Sequence, residues 1–409
     1  MVRSALFALS AAVVLAAHAV ALGQAAGSRG ILTKVDAANE RVTIRSSDGK
    51  EQEYSIDKRA RVMGADGQLL KGRLKTLEKR LNSPVVYKVI ERDGKAEELD
   101  GLKVLDPGKN GDTTGFKPLT ELEQGQYQEF EGGLYAGGSN QRPSDHEAAG
   151  VALSKMIQPL AADGKPQADG RIVVLSIGMS NTSQEFLVFR KFALSDETVN
   201  PRVLLVNGAQ DGMTAAAIQN PYDQHQGTKF WQTVEERLHE AGATADQVQA
   251  VWLKQADAQP ETGFPRYARV LEGELAKIVQ VLHDRFPNLK LTYLSSRIFA
   301  GYATLPLNPE PYAYESGFSV KWLIEKQIRG DKSLNFDATR GTVRAPWLSW
   351  GPYLWANGTE AREDGLKWEE RDFSSDATHP SPAGQRKVAK LLLDFFKSDS
   401  TTKGWFVAH

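Results

Sequence analysis

Between Ile172 and Ile177 the chain reads Ile-Val-Val-Leu-Ser-Ile, with one polar residue in six. A strand with one wet face alternates apolar and polar residues. A near-continuous apolar run belongs to a strand covered on both faces, as in a parallel sheet. Similar runs recur at Val203-Leu204-Leu205-Val206, Val248–Leu253 and Leu289–Leu294. Helical spacing lies between them: Phe230, Val234, Leu238 and Ala241 share one face, as do Val270, Leu275, Ile278, Val281 and Leu282. Strand and helix in alternation predict an α/β fold with a doubly wound, mostly parallel sheet over residues 118–409.

The preceding part has another rhythm. From Ile31 to Val104 short segments alternate, among them Arg41-Val42-Thr43-Ile44, Glu53-Tyr54-Ser55-Ile56 and Val85 to Ile90. Asp48-Gly49 and Asp93-Gly94 lie between such segments and predict hairpin turns. We read residues 31–105 as a small all-β module of five or six strands, with a barrel as one way to close it. Lys58, Arg59, Arg61 and the basic residues from Lys71 to Lys79 form its solvated face. Residues 106–117, rich in glycine and charge, read as a linker.

At the start, Arg3 precedes an apolar run from Ala5 to Leu22, and small residues follow around Gly23 to Ala26. This is the pattern of an export signal over residues 1–25, which places the mature chain in a periplasm or outside the cell. Ser10 and His18 interrupt the run, so no integral membrane span is expected once the signal is removed. The chain has no cysteine, which excludes disulfides, a lipid-modified cysteine and thiolate metal sites. With 50 basic and 51 acidic residues, a nucleic acid or anionic membrane is a poor partner. His146, His225, His239 and His283 have no metal-ligand partner at i+3 or i+4, and neither a metal nor a cofactor is expected.

In open parallel sheets ligands bind beyond the carboxyl ends of the strands. Those ends read Gly178-Met179-Ser180-Asn181, Asn207-Gly208-Ala209-Gln210-Asp211-Gly212, Lys254-Gln255-Ala256-Asp257 and Ser295-Ser296-Arg297. Ser180 is either a nucleophile or the cap of a helix beginning near Ser183. Asp376-Ala377-Thr378-His379 is either a surface loop or a base with the acid that orients it. Pro380 pushes His379 into extended backbone, Ser381 and Pro382 start a helix, and Val388, Leu391, Leu392 and Phe395 anchor it. No Gly-x-Ser-x-Gly elbow surrounds Ser180, so an α/β-hydrolase is not supported.

Taken together, Gly-x-Ser after the first strand, Asn-x-x-x-x-Gly after the second, a polar amide after the third and Asp-x-x-His near the end resemble the SGNH (GDSL-type) hydrolase superfamily. The resemblance covers Ile172 to Phe396 and does not extend to the β module. It implies a flavodoxin-like sheet with Ser180 as nucleophile, His379 as base and Asp376 as acid. It implies an oxyanion hole from the backbone of Ser180 and Gly212 and the side chain of Gln255, with Asn207 bracing the loop. The first block departs from Gly-Asp-Ser-Leu, and the third has no Gly-x-Asn-Asp. Gly-x-Ser-Asn and Gln-Ala-Asp are instead similar to a branch that deacetylates sugars. The implied protein is an exported serine esterase acting on carboxylic esters, O-acetyl groups on carbohydrate among them, through an acyl-enzyme. The alternative is a catalytically silent glycan-binding module on the same fold. Glu185, Arg297 and Asp257 either line the pocket or pair with each other. Tyr302, Trp347, Trp350, Tyr353 and Trp355 are a sugar-stacking wall or buried packing, in what reads as a long loop from Trp347 to Trp368.

Overall fold

A computed structural model describes residues 28–45, 50–64, 69–81, 84–92, 95–104, 113, 115–260, 262–303 and 307–408. The expected export signal, most of the 106–117 segment, and the turns at Asp48-Gly49 and Asp93-Gly94 lie outside the described residues.

Strands β1 (Ser28–Asp36), β2 (Arg41–Arg45), β3 (Glu51–Met63), β4 (Pro84–Arg92) and β5 (Lys95–Val104) form a closed barrel in the order β1-β2-β3-β5-β4. All neighbours are antiparallel except β3 and β5. Because successive side chains alternate across a strand, Val42 and Ile44 point inward while Arg41 and Arg45 stay exposed. Leu32, Tyr54, Ile56, Tyr87, Leu99 and Leu102 complete a core distinct from that of the rest of the chain.

The second sheet contains β6 (Ile172–Gly178), β7 (Val203–Asn207), β8 (Val248–Lys254), β9 (Leu291–Leu294) and β10 (Trp347–Trp350), ordered β10-β9-β8-β6-β7. Every pairing is parallel. Numbered within this sheet alone, the order is 2-1-3-4-5, so chain direction across the sheet reverses between β6 and β8. Every residue of β6 and β8 is buried, as their apolar runs require. Helix α1 (Ser180–Ser195) packs on β6 and β7, and α2 (Gly227–Glu240) on β7. Helix α3 (Arg266–Arg285) packs along α4 (Tyr312–Ile328), and α5 (Pro382–Ser398) along α1.

Three details differ from the sequence reading. The segment expected to be a loop begins as a strand: Trp347 to Trp350 pair in register with Leu291 to Leu294. Four residues are too few to show a period, so only the pairing reveals it. On α3, Val270 is half exposed, and Ala268 and Leu271 take the inward positions. Helix α1 starts at Ser180, not near Ser183, since the Ser183 N–H already donates to the Met179 carbonyl at 3.0 Å.

Candidate active site

The reversal point brings the carboxyl ends of β6 and β8 side by side, with Ser180 immediately beyond β6. Gly178 is needed there for close approach. A Cβ at that position would lie 2.3 Å from the Lys254 carbonyl oxygen and 2.3 Å from Thr182 Oγ1. Met179 is extended and caps nothing with its side chain, which makes Ser180 the first residue of a 16-residue helix. The first four N–H groups of a helix have no partner inside it, and that end carries partial positive charge.

Each of the first four residues of α1 is tied to a different point outside the helix. The Ser180 hydroxyl lies 2.8 Å from His379 Nε2. Asn181 Nδ2 donates to the Thr378 carbonyl at 3.1 Å. Thr182 Oγ1 donates to the Lys254 carbonyl at 2.8 Å, and Ser183 Oγ accepts from Asn207 Nδ2 at 2.8 Å.

The loop before α5 supplies the other partners. Its helix start is as expected: Ser381 accepts from the Ala383 and Gly384 N–H groups, and Pro382 is the first helical residue. His379 Nδ1 is 2.5 Å from Asp376 Oδ2. A carboxylate only accepts, so Nδ1 carries the ring proton and Nε2 keeps its lone pair for the Ser180 hydroxyl. The second carboxylate oxygen accepts from the N–H groups of Thr378 at 3.0 Å and His379 at 2.9 Å. Burial alone would raise the Asp376 pKa. The bonds from the His379 ring and the two backbone N–H groups outweigh it and hold the carboxyl well below the usual range. The pair is not sealed, with side-chain exposures of 26% for His379 and 21% for Asp376.

Asn207, at the end of β7, uses both ends of its amide. Oδ1 accepts from Ser176 Oγ at 2.8 Å and the Ala209 N–H at 3.2 Å, while Nδ2 reaches Ser183. Five residues later Gly212 adopts φ +72°, a left-handed conformation that favours glycine, with open space where a side chain would stand. Its N–H donates to no acceptor among the described residues. Gln255 is buried, donating to the Met213 carbonyl at 2.8 Å and accepting from the Ala256 N–H at 3.1 Å. It therefore holds the Gly212 loop with one amide hydrogen.

Of the polar residues around this rim, Glu185 and Arg297 are buried and act on each other through their charges, while Asp257 stands apart. Asp257 accepts from the Ala216 N–H at 2.9 Å and does not bond to Glu185 or Arg297. Glu185 instead receives Lys254 Nζ at 2.6 and 2.5 Å, and both side chains are essentially inaccessible. Burial pushes Glu185 up and Lys254 down to about 8. The sequence reading missed this pair because Lys254 read as an ordinary strand end. The run Ser180-Asn181-Thr182-Ser183 is the signal that could have found the helix-start clamp, because four short polar residues in a row are unusual away from a cap.

Trp347, Trp350, Tyr353 and Trp355 are buried, with Trp355 donating to Glu310 at 2.7 Å, so they are packing rather than an open wall. Tyr302 is partly exposed and donates to the Trp368 carbonyl at 3.0 Å. His146 is buried against Trp347 with Nε2 2.8 Å from the Leu348 carbonyl. Among the described residues no group of three or more His, Asp or Glu side chains is placed to hold a metal. No helix among them is long and apolar enough to cross a membrane.

No protein-family model matches the sequence, and no curated protein matches it. Among solved structures, a candidate platelet activating factor from Streptococcus pneumonia is similar at 14% identity, covering 61% of this chain and 91% of that one, with a TM-score of 0.29. The periplasmic domain of a lipopolysaccharide acetyltransferase from Salmonella ser. Paratyphi A is similar at 11% identity, covering 62% and 94%, with a TM-score of 0.30. Apo-CusF from Escherichia coli is similar at 11% identity, covering 20% and 87%, with a TM-score of 0.14.

Proposed function

We propose that this chain is an exported serine esterase of the SGNH type, with a flavodoxin-like catalytic domain over residues 118–409, a separate β-barrel module over residues 31–105 and a cleaved signal over residues 1–25. One observation carries the reading: an unbroken hydrogen-bonded chain from the Ser180 hydroxyl through both nitrogens of His379 to Asp376. A serine on the positive end of a long helix, joined to a partly exposed imidazole held by a carboxylate, is the arrangement acyl transfer needs.

In the first step Ser180 Oγ attacks the ester carbonyl while His379 Nε2 takes its proton. Asp376 keeps the ring in one tautomer and supports its positive charge. The carbonyl oxygen becomes an oxyanion, received by the N–H groups of Ser180 and Gly212 and by the second amide hydrogen of Gln255. The imidazolium then protonates the leaving alcohol, the C–O bond breaks, and an acyl-serine remains. Water, deprotonated by His379, attacks the acyl carbon. The bond between the acyl carbon and Ser180 Oγ then breaks as the imidazolium returns its proton to that oxygen, releasing the carboxylic acid, which ionises in water, and restoring Ser180 and neutral His379. No metal or cofactor enters this scheme. Carboxylic esters, O-acetylated carbohydrate among them, are the proposed substrates.

Labelling by a fluorophosphonate probe, together with hydrolysis of 4-nitrophenyl acetate, tests the proposal. Both signals are expected from the native protein and neither from Ser180→Ala. Equal signals from the two proteins would overturn it.

A further inference from the structure

The Asp376–His379 loop fixes its own shape. Asp376 binds the ring and two backbone N–H groups, the Ser374 N–H donates to the His379 carbonyl at 2.8 Å, and the Ala377 N–H donates to the Ser374 carbonyl at 2.8 Å. The loop also holds Ala377 at φ +45°, a left-handed conformation costing an alanine roughly 1–2 kcal/mol. None of these bonds sets how far the loop stands from the nucleophile. Ser180 and His379 are 199 residues apart in sequence, and the bond between them is a single one at a half-open site.

Packing of α5 on α1 brings the loop near the nucleophile, and the bond that can set the final distance joins the immediate neighbours of the two residues. Asn181, next to the nucleophile, donates its side-chain amide to the carbonyl of Thr378, next to the base, at 3.1 Å. Both residues are buried, at 2% and 4% exposure, whereas the serine–imidazole bond beside them is reachable by solvent. A buried amide–carbonyl bond is costly to break, because the Thr378 carbonyl would be left without a donor. It is also a neutral bond, so it persists through every protonation state of His379. The Ser180–His379 bond must break and re-form in each cycle, while the one beside it need not.

We infer that Asn181 is a positioning residue for the site: its amide clamps the Thr378 carbonyl and thereby sets the separation between Ser180 Oγ and His379 Nε2. This rests on the acyl-transfer reading for its kinetic consequence and on geometry alone for its structural one. It also reassigns the asparagine of Gly178-Met179-Ser180-Asn181. That residue serves the base, so its presence carries no information about a sugar substrate.

The tests are Asn181→Ala, which removes the donor, Asn181→Asp, which removes it at nearly constant size, and Asn181→Ser, which keeps a shorter donor. With 4-nitrophenyl acetate, kcat is expected to fall about 10–100-fold in the first two with KM changed less than about threefold, because an interaction that aligns the base acts on the chemical step. Asn181→Ser should recover part of the loss. A merely structural role would lower the folded fraction of the variants and leave kcat per active site, titrated with the fluorophosphonate, unchanged; that result overturns the proposal. Crystal structures of native protein and Asn181→Ala provide an independent reading. A Ser180 Oγ to His379 Nε2 distance lengthened beyond hydrogen-bond reach supports the clamp even if native protein turns over no ester, in which case only the esterase reading fails. An unchanged distance overturns the clamp even in an active enzyme.

Discussion

Two polar assemblies meet the start of α1, and they differ mainly in what surrounds them. Lys254 and Glu185 lie together at 1% and 0% side-chain exposure, and His379 and Asp376 at 26% and 21%. In both, a nitrogen sits 2.5 Å from a carboxylate oxygen. The sealed pair has no access to a ligand, and its two charges neutralise each other beneath the strand ends. The half-open pair keeps one ring nitrogen for a neighbouring hydroxyl. Burial, rather than residue type, separates a pair that holds the fold from one that can do chemistry.

The largest expected effect tests the open assembly. Ser180→Ala or Asp376→Asn should lower ester turnover by about 10⁴-fold or more, and Ser180→Ala should leave the thermal midpoint nearly unchanged, as calorimetry would show. A loss of stability matching the loss of activity would mean the two assemblies are alike after all. The sealed pair should behave in the opposite sense. Lys254→Met leaves Glu185 buried without a hydrogen-bonded cation, with only the charge of Arg297 acting on it, and should cost about 3–5 kcal/mol in denaturant unfolding. Adding Glu185→Leu should restore part of it, since Arg297 then loses the charge of Glu185 but keeps that of Glu310, and no recovery at all would show that the pair has another role.

Asn207 lies between the two behaviours. Its replacement by alanine strips the partners of Ser176 and Ser183 and should cost about 1–3 kcal/mol, with turnover falling as the Gly212 loop loosens. A further effect concerns pH. Burial, with repulsion from Asp257, pushes Glu274 from an ordinary 4.5 up to about 9. The folded state therefore favours the protonated form more than the unfolded chain does. Stability from this group is complete below about 4.5 and is lost as pH rises towards 9. Unfolding of Glu274→Gln, measured across that window, should show a flatter pH dependence than the native protein.

Several elements were legible because their signals are local. The apolar runs of β6 and β8 mark covered strands, the alternation around Val42 and Ile44 marks a barrel wall, and Ser381-Pro382 marks a helix start. Ser180, His379 and Asp376 were legible as residue types at strand and loop ends, and the structure places all three in one hydrogen-bonded row. Gly212 and Asn207 fall on the neighbouring rim, with Gln255 turned towards the Met213 carbonyl. The strand Trp347–Trp350 was not legible, since its four residues carry no period of their own. Lys254 and Glu185 were not legible as partners, being 69 residues apart and charged. Asn181 stood in the motif, but nothing local says that its amide points to Thr378.

By itself the sequence determined most of the segments that become strands and helices, where glycine and proline bend the chain, and which side chains end up at most strand termini. These follow from hydrophobic period and backbone sterics acting over a few residues. Only the tertiary structure decided which of those termini meet. The 2-1-3-4-5 strand order sets β6 beside β8, and the packing of α5 on α1 delivers His379 to Ser180 across 199 residues. Such contacts depend on how layers pack and on which polar groups the packing seals from water, and no window of sequence contains both partners.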